Sequence, residues 1–269
     1  MTRNLPPRRQ RRRKRLNLLT MEKSSKPLVR VTTIESFRRY IEQSEHDNFE
    51  ITEQSVIDNI VGEFQGNEYT RVGTAFHAIV ETGCQPCVIA PAGYRTFTYY
   101  GKEKQEPVPE GRTFDIEGYP VTLDLSQIKV ALDYRYQNIE AFHEIRKYKD
   151  YGRAVVTGCA DMVNGLQLRD IKTKYSAPSD SQYYDSCQWR FYLDMFGADI
   201  FDFDLFCFDG YKLEKHGYDV RGLPLIPYTP AIRVYRYDGM EQDIHNLLDQ
   251  FLDWCELRGL TQYLYNTNV

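Results

Sequence analysis

Residues 153–173 read RAVVTGCADMVNGLQLRDIKT, and the periodicity of this stretch decides the fold class. Apolar and polar residues alternate on both sides of Asn164-Gly165, and Asn-Gly between β-prone runs is the strongest short hairpin signal. The stretch predicts two strands, Arg153–Val163 and Leu166–Thr173, joined by a type I′ turn centred on Asn164 and Gly165. In that register Val163 faces Leu166, and Asp161 faces Leu168. Side chains alternate with period two, so Leu168, Asp170 and Lys172 share one face and Asp161 joins them. The two aspartates become diagonal neighbours, roughly 7–8 Å apart at Cα.

Working outward, the period changes from 2 to about 3.6 on either side. Thr32/Thr33 is expected to cap a helix to about Ser44, and Thr52 another to about Phe64. A third helix is expected over Val72–Thr82, ended by Gly83, with Ala75, Phe76, Ile79 and Val80 on its buried face. Residues 84–120 read as an irregular excursion with a small hairpin around Thr96–Tyr100. Ser126 is expected to cap a long helix to about Phe142, and Glu144–Tyr148 reads as a strand. Beyond the hairpin come a helix over Gln182–Phe196, strands at Ile200–Phe208 and Ala231–Tyr237, and a closing amphipathic helix over Met240–Arg258. The order is that of an α/β sandwich around a mixed sheet.

Two aspartates on one sheet face repel each other unless a cation intervenes, and oxygen donors suit Mg²⁺ or Mn²⁺. A solvated pair of surface carboxylates with a lysine fits the hairpin equally well on its own. Elsewhere, Gly73 stands one turn before His77, where it allows the helix to approach a neighbour closely. Gln188 and Tyr192 stand four apart and share a helix face. Lys174 shares the face of Lys172 and could touch a phosphate. Glu81 and Glu144 are weaker candidates for an outer partner and an extra ligand.

In order, these pieces read Gly73-Thr74-Ala75-Phe76-His77, Gly158-Cys159-Ala160-Asp161, Asp170-Ile171-Lys172 and Gln188-Trp189-Arg190-Phe191-Tyr192. The combination resembles the PD-(D/E)XK nuclease superfamily, and within it the RecB-type branch that holds exodeoxyribonuclease VIII and phage recombination exonucleases. It spans about residues 71–208. The resemblance implies a restriction-endonuclease-like core with helical additions at both ends. It also implies His77, Asp161, Asp170 and the Ile171 carbonyl as ligands of one or two Mg or Mn ions. Lys172 would orient or activate the attacking water, and Gln188 and Tyr192 would contact the DNA strand. The implied activity is a metal-dependent deoxyribonuclease, an exonuclease of recombination and repair leaving 5′-phosphate products. An endonuclease, a flap or RNA nuclease, and an inactive DNA-binding or assembly module are the rivals. Ala160 departs from the pattern, standing where the superfamily name has Pro.

Composition sets the frame. The chain has 269 residues, 42% hydrophobic and 27% charged, which excludes a wholly disordered chain and a small disulfide scaffold. Residues 1–17 carry eight Lys/Arg and no Asp/Glu, which leaves 26 basic against 38 acidic residues on the remainder. Residues 1–28 are therefore expected to be a disordered basic arm, and 29–269 a single domain. With no signal peptide or apolar run of ~18 residues, a cytoplasmic protein without a membrane partner is expected. Six cysteines suit a reducing compartment, and Cys84-Gln85-Pro86-Cys87 lacks a second pair. The cysteine cluster of the iron–sulfur relatives is missing near the C-terminus, so no iron–sulfur cluster is expected. DNA is the expected partner, with a homo-oligomer or a recombination protein as further possibilities.

Overall fold

A computed structural model describes residues 26–43, 51–62, 66–83, 85–176 and 179–265. The basic arm, Ser44, Phe64 and Cys84 fall almost wholly outside these residues, and so do the expectations placed on them. A short strand β1 (Leu28–Arg30) leads into α1 (Val31–Ile41), α2 (Glu53–Val61) and α3 (Glu68–Thr82). Then come β2 (Cys87–Ala90), β3 (Gly93–Tyr99), β4 (Lys102–Val108), β5 (Gly111–Ile116), β6 (Tyr119–Asp124) and α4 (Leu125–Gln137). β7 (Phe142–Asp150), β8 (Val155–Asn164), β9 (Gln167–Lys174), α5 (Ser181–Asp185), α6 (Gln188–Phe196) and β10 (Ile200–Phe208) follow. The chain continues through α7 (Leu213–His216), β11 (Leu225–Pro227), β12 (Ile232–Tyr235), α8 (Met240–Leu257) and a 3₁₀ turn (Thr261–Tyr265).

Caps decide the helix ends. Thr52 accepts from the Ser55 N–H and opens α2 as expected. α3 begins a turn early because Asn67 and Thr70 form a reciprocal capping box. Asp124, rather than Ser126, caps α4, accepting from the Ser126 and Gln127 N–H groups while Gln127 reaches back to the Asp124 N–H. α4 ends at Gln137, and Phe142 already belongs to β7. α1 has no side-chain cap, since Thr33 is buried within the helix. The helix expected over 182–196 is two helices, because Ser186 is extended and its hydroxyl accepts from the Gln188 N–H.

The stretch 84–120 holds ordered sheet where an irregular excursion with a single hairpin was expected. β2, β5 and β6 form a three-stranded sheet, and β3 and β4 a separate two-stranded one. Their hairpins turn at Tyr100-Gly101 and Glu117-Gly118, where both central residues have positive φ. That is the type I′ pattern, written without Asn-Gly.

Seven strands form the main sheet. β7 runs antiparallel along one edge of β8. The other edge of β8 is shared: β1 pairs in parallel with Val155–Thr157, and β9 pairs antiparallel with Met162–Asn164. Between them β8 and β9 diverge, so the sheet opens into a fork at residues 158–161. β9 continues in parallel with β10, and β11 and β12 close the far edge of β10. Phe201, Phe203 and Leu205 point to a core built with α1, α6 and α8, while Phe206 and Phe208 point to one built with α3 and α4. The result is a mixed sheet with helices on both faces. No helix among the described residues is long and apolar enough to cross a membrane.

The hairpin register differs from expectation. Asn164 pairs with Gln167 and Val163 with Leu168, so Gly165 and Leu166 are the turn's central residues. Only Gly165 has positive φ, at 59°. A turn with left-handed backbone at its first central residue alone follows the II′ pattern, which needs Gly there and lets Asn164 remain in the strand. The shift places Asp161 level with Asp170 rather than diagonal to it. It moves the pairing by an even number of positions and so preserves which residues share a face.

Candidate active site

The fork is where the expected residues meet. β9 carries Asp170 and Lys172 on the face covered by α1 and α6, and β8 carries Asp161 at the point of divergence. Alternation along β8 breaks there, since Ala160 packs in one core and Met162 in the other. The Asp161 carboxylate fills the missing rung of the ladder, accepting from the Ile171 N–H at 2.6 Å. α3 approaches from the opposite face. A Cβ at Gly73 would lie 2.6 Å from Thr173 Oγ1, so the glycine is what lets α3 sit this close to β9. That approach brings His77 Nδ1 to 3.7 Å from Asp161 Oδ2. An unbroken sheet would keep His77 and Asp170 apart on its two faces; the fork lets them share one space.

Electrostatics sharpens the picture. Burial and the neighbouring Asp170 push Asp161 well above the usual carboxylate range. Lys172 Nζ lies 2.7 Å from Asp170 Oδ2. Burial alone would lower the Lys172 ammonium, but Asp170 and Asp161 outweigh it and hold it above the ordinary lysine value. His77 is lowered to about 4, first by burial and then by Lys172. It is therefore a neutral imidazole at physiological pH, with a lone pair to offer.

Gln188 and Tyr192 lie beneath the carboxylates and not on the open side, with exposures of 8% and 3%. Gln188 donates to Asp170 Oδ1 at 2.9 Å, and the Tyr192 hydroxyl donates to the Cys159 carbonyl at 3.0 Å. Both side chains thus hold Asp170 and the β8 backbone, where the sequence placed them against the substrate strand. Lys174 is half-buried over the Tyr183 ring, with Gln182 Oε1 at 3.4 Å. Glu81 is exposed on α3, while Glu144 flanks Asp161 with a left-handed φ of 52° and accepts from Cys159 Sγ.

Glu35 on α1 was not foreseen from the sequence. It accepts from the Cys187 N–H at 2.8 Å, ahead of Gln188, and its charge reaches Lys172. Its partners stand 152 positions away in the chain, so only the spacing of Glu35 before Arg38 hinted at a role, as an intrahelical ion pair.

The donor set fits a divalent cation in kind. Two like-charged carboxylates converge, Asp161 half-buried and Asp170 buried, the imidazole beside them is neutral, and Asp170 Oδ2 is met by the Lys172 ammonium at 2.7 Å. The 3.7 Å separation of His77 Nδ1 from Asp161 Oδ2 is wider than the ~3.0 Å between adjacent donors of an octahedral ion, so the two must draw together to share one. As they stand, no three His, Cys, Asp or Glu side chains among the described residues are arranged to hold a metal. Asp170 Oδ2 is turned onto Lys172 and Asp161 Oδ2 onto the Ile171 N–H, so closure around an ion requires small rotations of both. The cleft of about 550 Å³ bounded by Tyr134, Arg169 and Asp204 lies on the other face of β9, with those charges paired to one another.

His77 gives a pH test. Between pH 6.5 and about 4 the unfolded chain binds a proton at this residue and the folded chain does not. The contribution of His77 to stability in EDTA is therefore lost as pH drops through that window, against the opposite trend of Asp161. His77→Asn is expected to flatten the slope, as read by denaturant melts at pH 7 and pH 4.5.

No protein-family model matches the sequence, and no curated protein does. Among solved structures the chain is similar to a protein of Eubacterium rectale provisionally designated an exonuclease, at 12% identity and TM-score 0.44. That match covers 94% of this chain and 88% of the other. A phage-related exonuclease of Haemophilus somnus 129PT matches at 11% identity and TM-score 0.38, over 88% of this chain and 93% of the other. A third structure matches at 18% identity and TM-score 0.30, over 48% of this chain and 63% of that one. At such scores the functional reading rests on the residues of the fork.

Proposed function

We propose that the protein is a metal-dependent deoxyribonuclease, acting as an exonuclease in DNA recombination or repair and leaving 5′-phosphate ends. The observation that carries this reading is the convergence of Asp161, Asp170, Lys172 and His77 at the fork, with Asp170 Oδ2 held against the Lys172 ammonium at 2.7 Å. His77, Asp161, Asp170 and the Ile171 carbonyl would hold Mg²⁺ or Mn²⁺. When bound, such an ion neutralises phosphate charge and lowers the pKa of a coordinated water.

The remaining steps belong to the chain. Lys172 stays protonated between the two carboxylates, so it acts as a fixed cation that donates to the attacking water or a phosphate oxygen. Gln188 holds Asp170 by Oδ1, and the other oxygen, now on Lys172, is the one that would turn to the ion. Tyr192 clamps the β8 backbone at Cys159, one residue from Ala160 and two from Asp161. Glu35 pins the start of α6, and with it Gln188. Lys174, at the rim, would meet a phosphate of the strand.

The test incubates the full chain with end-labelled linear DNA and covalently closed circles, in Mg²⁺, Mn²⁺ or EDTA. Loss of linear DNA only, stopped by EDTA and by Asp170→Ala, is the expected result. Nicking of closed circles would replace the exonuclease with an endonuclease. Absence of cleavage in either metal, with DNA binding retained, would leave a binding module.

A further inference from the structure

The β3–β4 hairpin stands apart from the main sheet and faces the segment after β10 across a cleft of about 500 Å³. Phe97, Tyr99, Tyr100, Lys104, Lys212 and Lys215 line it, with Glu214 among them. Tyr100 is 88% exposed at the hairpin tip, on a left-handed backbone with φ 50°. That conformation disfavours a bulky residue, and Tyr100 gains little packing in return beyond an edge contact with Tyr99 at 4.4 Å. Lys104 lies over the Tyr99 ring at 4.4 Å. Lys102, Lys104 and Lys212 have no carboxylate partner among the described residues, whereas Lys215 pairs with Glu106. Three unpaired ammonium groups beside open aromatic faces contrast with a chain whose net charge is −4 even with its basic arm included.

A packed aromatic cluster joins the edge of the cleft to α3 and the end of β9. Tyr175 directly follows Lys174, and its ring lies 4.8 Å from Tyr211. Tyr211 precedes Lys212. Tyr69, two turns before His77 on α3, closes the cluster at 5.0 Å from Tyr175 and 5.3 Å from Tyr211.

We propose that this cleft binds single-stranded nucleic acid, with bases stacked on Tyr99 and Tyr100 and phosphates held by Lys104 and Lys212, Lys102 adding charge from the same strand as Lys104. Aromatic faces alternating with cations suit a strand whose bases are unpaired, since every base offers a π-face and every linkage a charge. Duplex DNA keeps its bases stacked inside and would leave the two rings idle. A protein partner would match the rings but would have to bring carboxylates for three lysines. The proposal rests on the nuclease reading for its direction: the cleft holds the strand that leaves or enters the fork.

The test measures binding of a fluorescein-labelled 20-nucleotide oligothymidylate to the full chain in EDTA, by anisotropy, so that no cleavage is needed. Tyr99→Ala with Tyr100→Asn, the latter tolerant of a left-handed backbone, is expected to weaken binding by at least roughly tenfold. Lys104→Glu with Lys212→Glu is expected to weaken it similarly and to reduce its salt dependence. Circular dichroism and melting curves identify variants that fail to fold. Unchanged affinity in both folded double variants overturns the proposal. So does an abasic 20-mer that binds as tightly as the oligothymidylate. If the unaltered protein ignores the oligonucleotide yet cuts linear duplex with Mg²⁺, the cleft proposal falls and the nuclease reading stands. If it binds the oligonucleotide through these residues but cuts nothing with either metal, the nuclease reading falls instead.

Discussion

Asp161→Asn is expected to slow DNA cleavage by roughly a thousandfold or more, about 4 kcal/mol of barrier, while leaving the metal-free protein as stable as before or more so. The two effects have one cause. Asp161 is buried beside Asp170, and both conditions disfavour its charge. A carboxyl raised in the folded state binds a proton that the unfolded chain has already released. Its contribution to stability is therefore lost as pH climbs from the ordinary carboxylate range through the raised value. Asn keeps the shape and an oxygen for the Ile171 N–H but carries no charge. The advantage of Asn in EDTA should therefore grow as pH climbs above the ordinary carboxylate range. Saturating Mg²⁺ should reverse the order, because an ion that binds only the wild-type folded state stabilises only that protein. Melting curves at two pH values, with EDTA or Mg²⁺, read all of this. A variant less stable than wild type in EDTA at pH 8 would mean that Asp161 serves structure and not a cation.

How much of this was legible follows from where the information lies. Glycines and short capping side chains act within a turn, so Gly83 ended α3 where expected, whereas Gly62 ended α2 before the expected Phe64. Gly165 carried the hairpin, but Asn-Gly fits two registers. The choice was made by Asp199 and Ile200, whose N–H groups bind the Leu166 carbonyl from a distant strand. Asp161, Asp170, Lys172 and His77 stood out in the sequence because chemistry restricts residue type, and the fold brings them together. The burial of Gln188 and Tyr192 did not, since helical spacing shows that they share a face but not whether that face looks to solvent or to Asp170. The break at Ser186–Cys187 was invisible for the same reason: the Cys187 N–H is taken by Glu35 from α1. Residues 84–120 hold two hairpins where one was expected, because Tyr100 and Glu117 occupy turn positions that usually announce themselves with Asn or Gly.

Gly158→Ala is expected to be the most damaging small substitution in the fork, costing about 2–4 kcal/mol and lowering the melting temperature by roughly 5–10 °C. Gly158 sits on β8 against the Tyr192 ring, and a Cβ there would lie 2.2 Å from Cε1 and 3.0 Å from Cδ1. Neither neighbour can yield cheaply. Tyr192 is 3% exposed and packs against Phe196 and Phe201, and β8 is held by β7 along its other edge. Relief must come from a shift of α6, which carries Gln188 away from Asp170 and opens the Tyr192–Cys159 hydrogen bond. Cleavage should therefore fall further than stability explains, by roughly tenfold to a hundredfold at a temperature where the variant remains folded. Tyr192→Phe removes only the hydroxyl and should cost about 1 kcal/mol. The double change Gly158→Ala with Tyr192→Leu should be less damaging than the sum of its parts, because the smaller side chain vacates the space the methyl needs. Melting temperatures and cleavage rates of the four proteins complete the cycle. Strictly additive losses would show that the methyl group strains β8 itself, and that Tyr192 does not transmit the effect to the carboxylates.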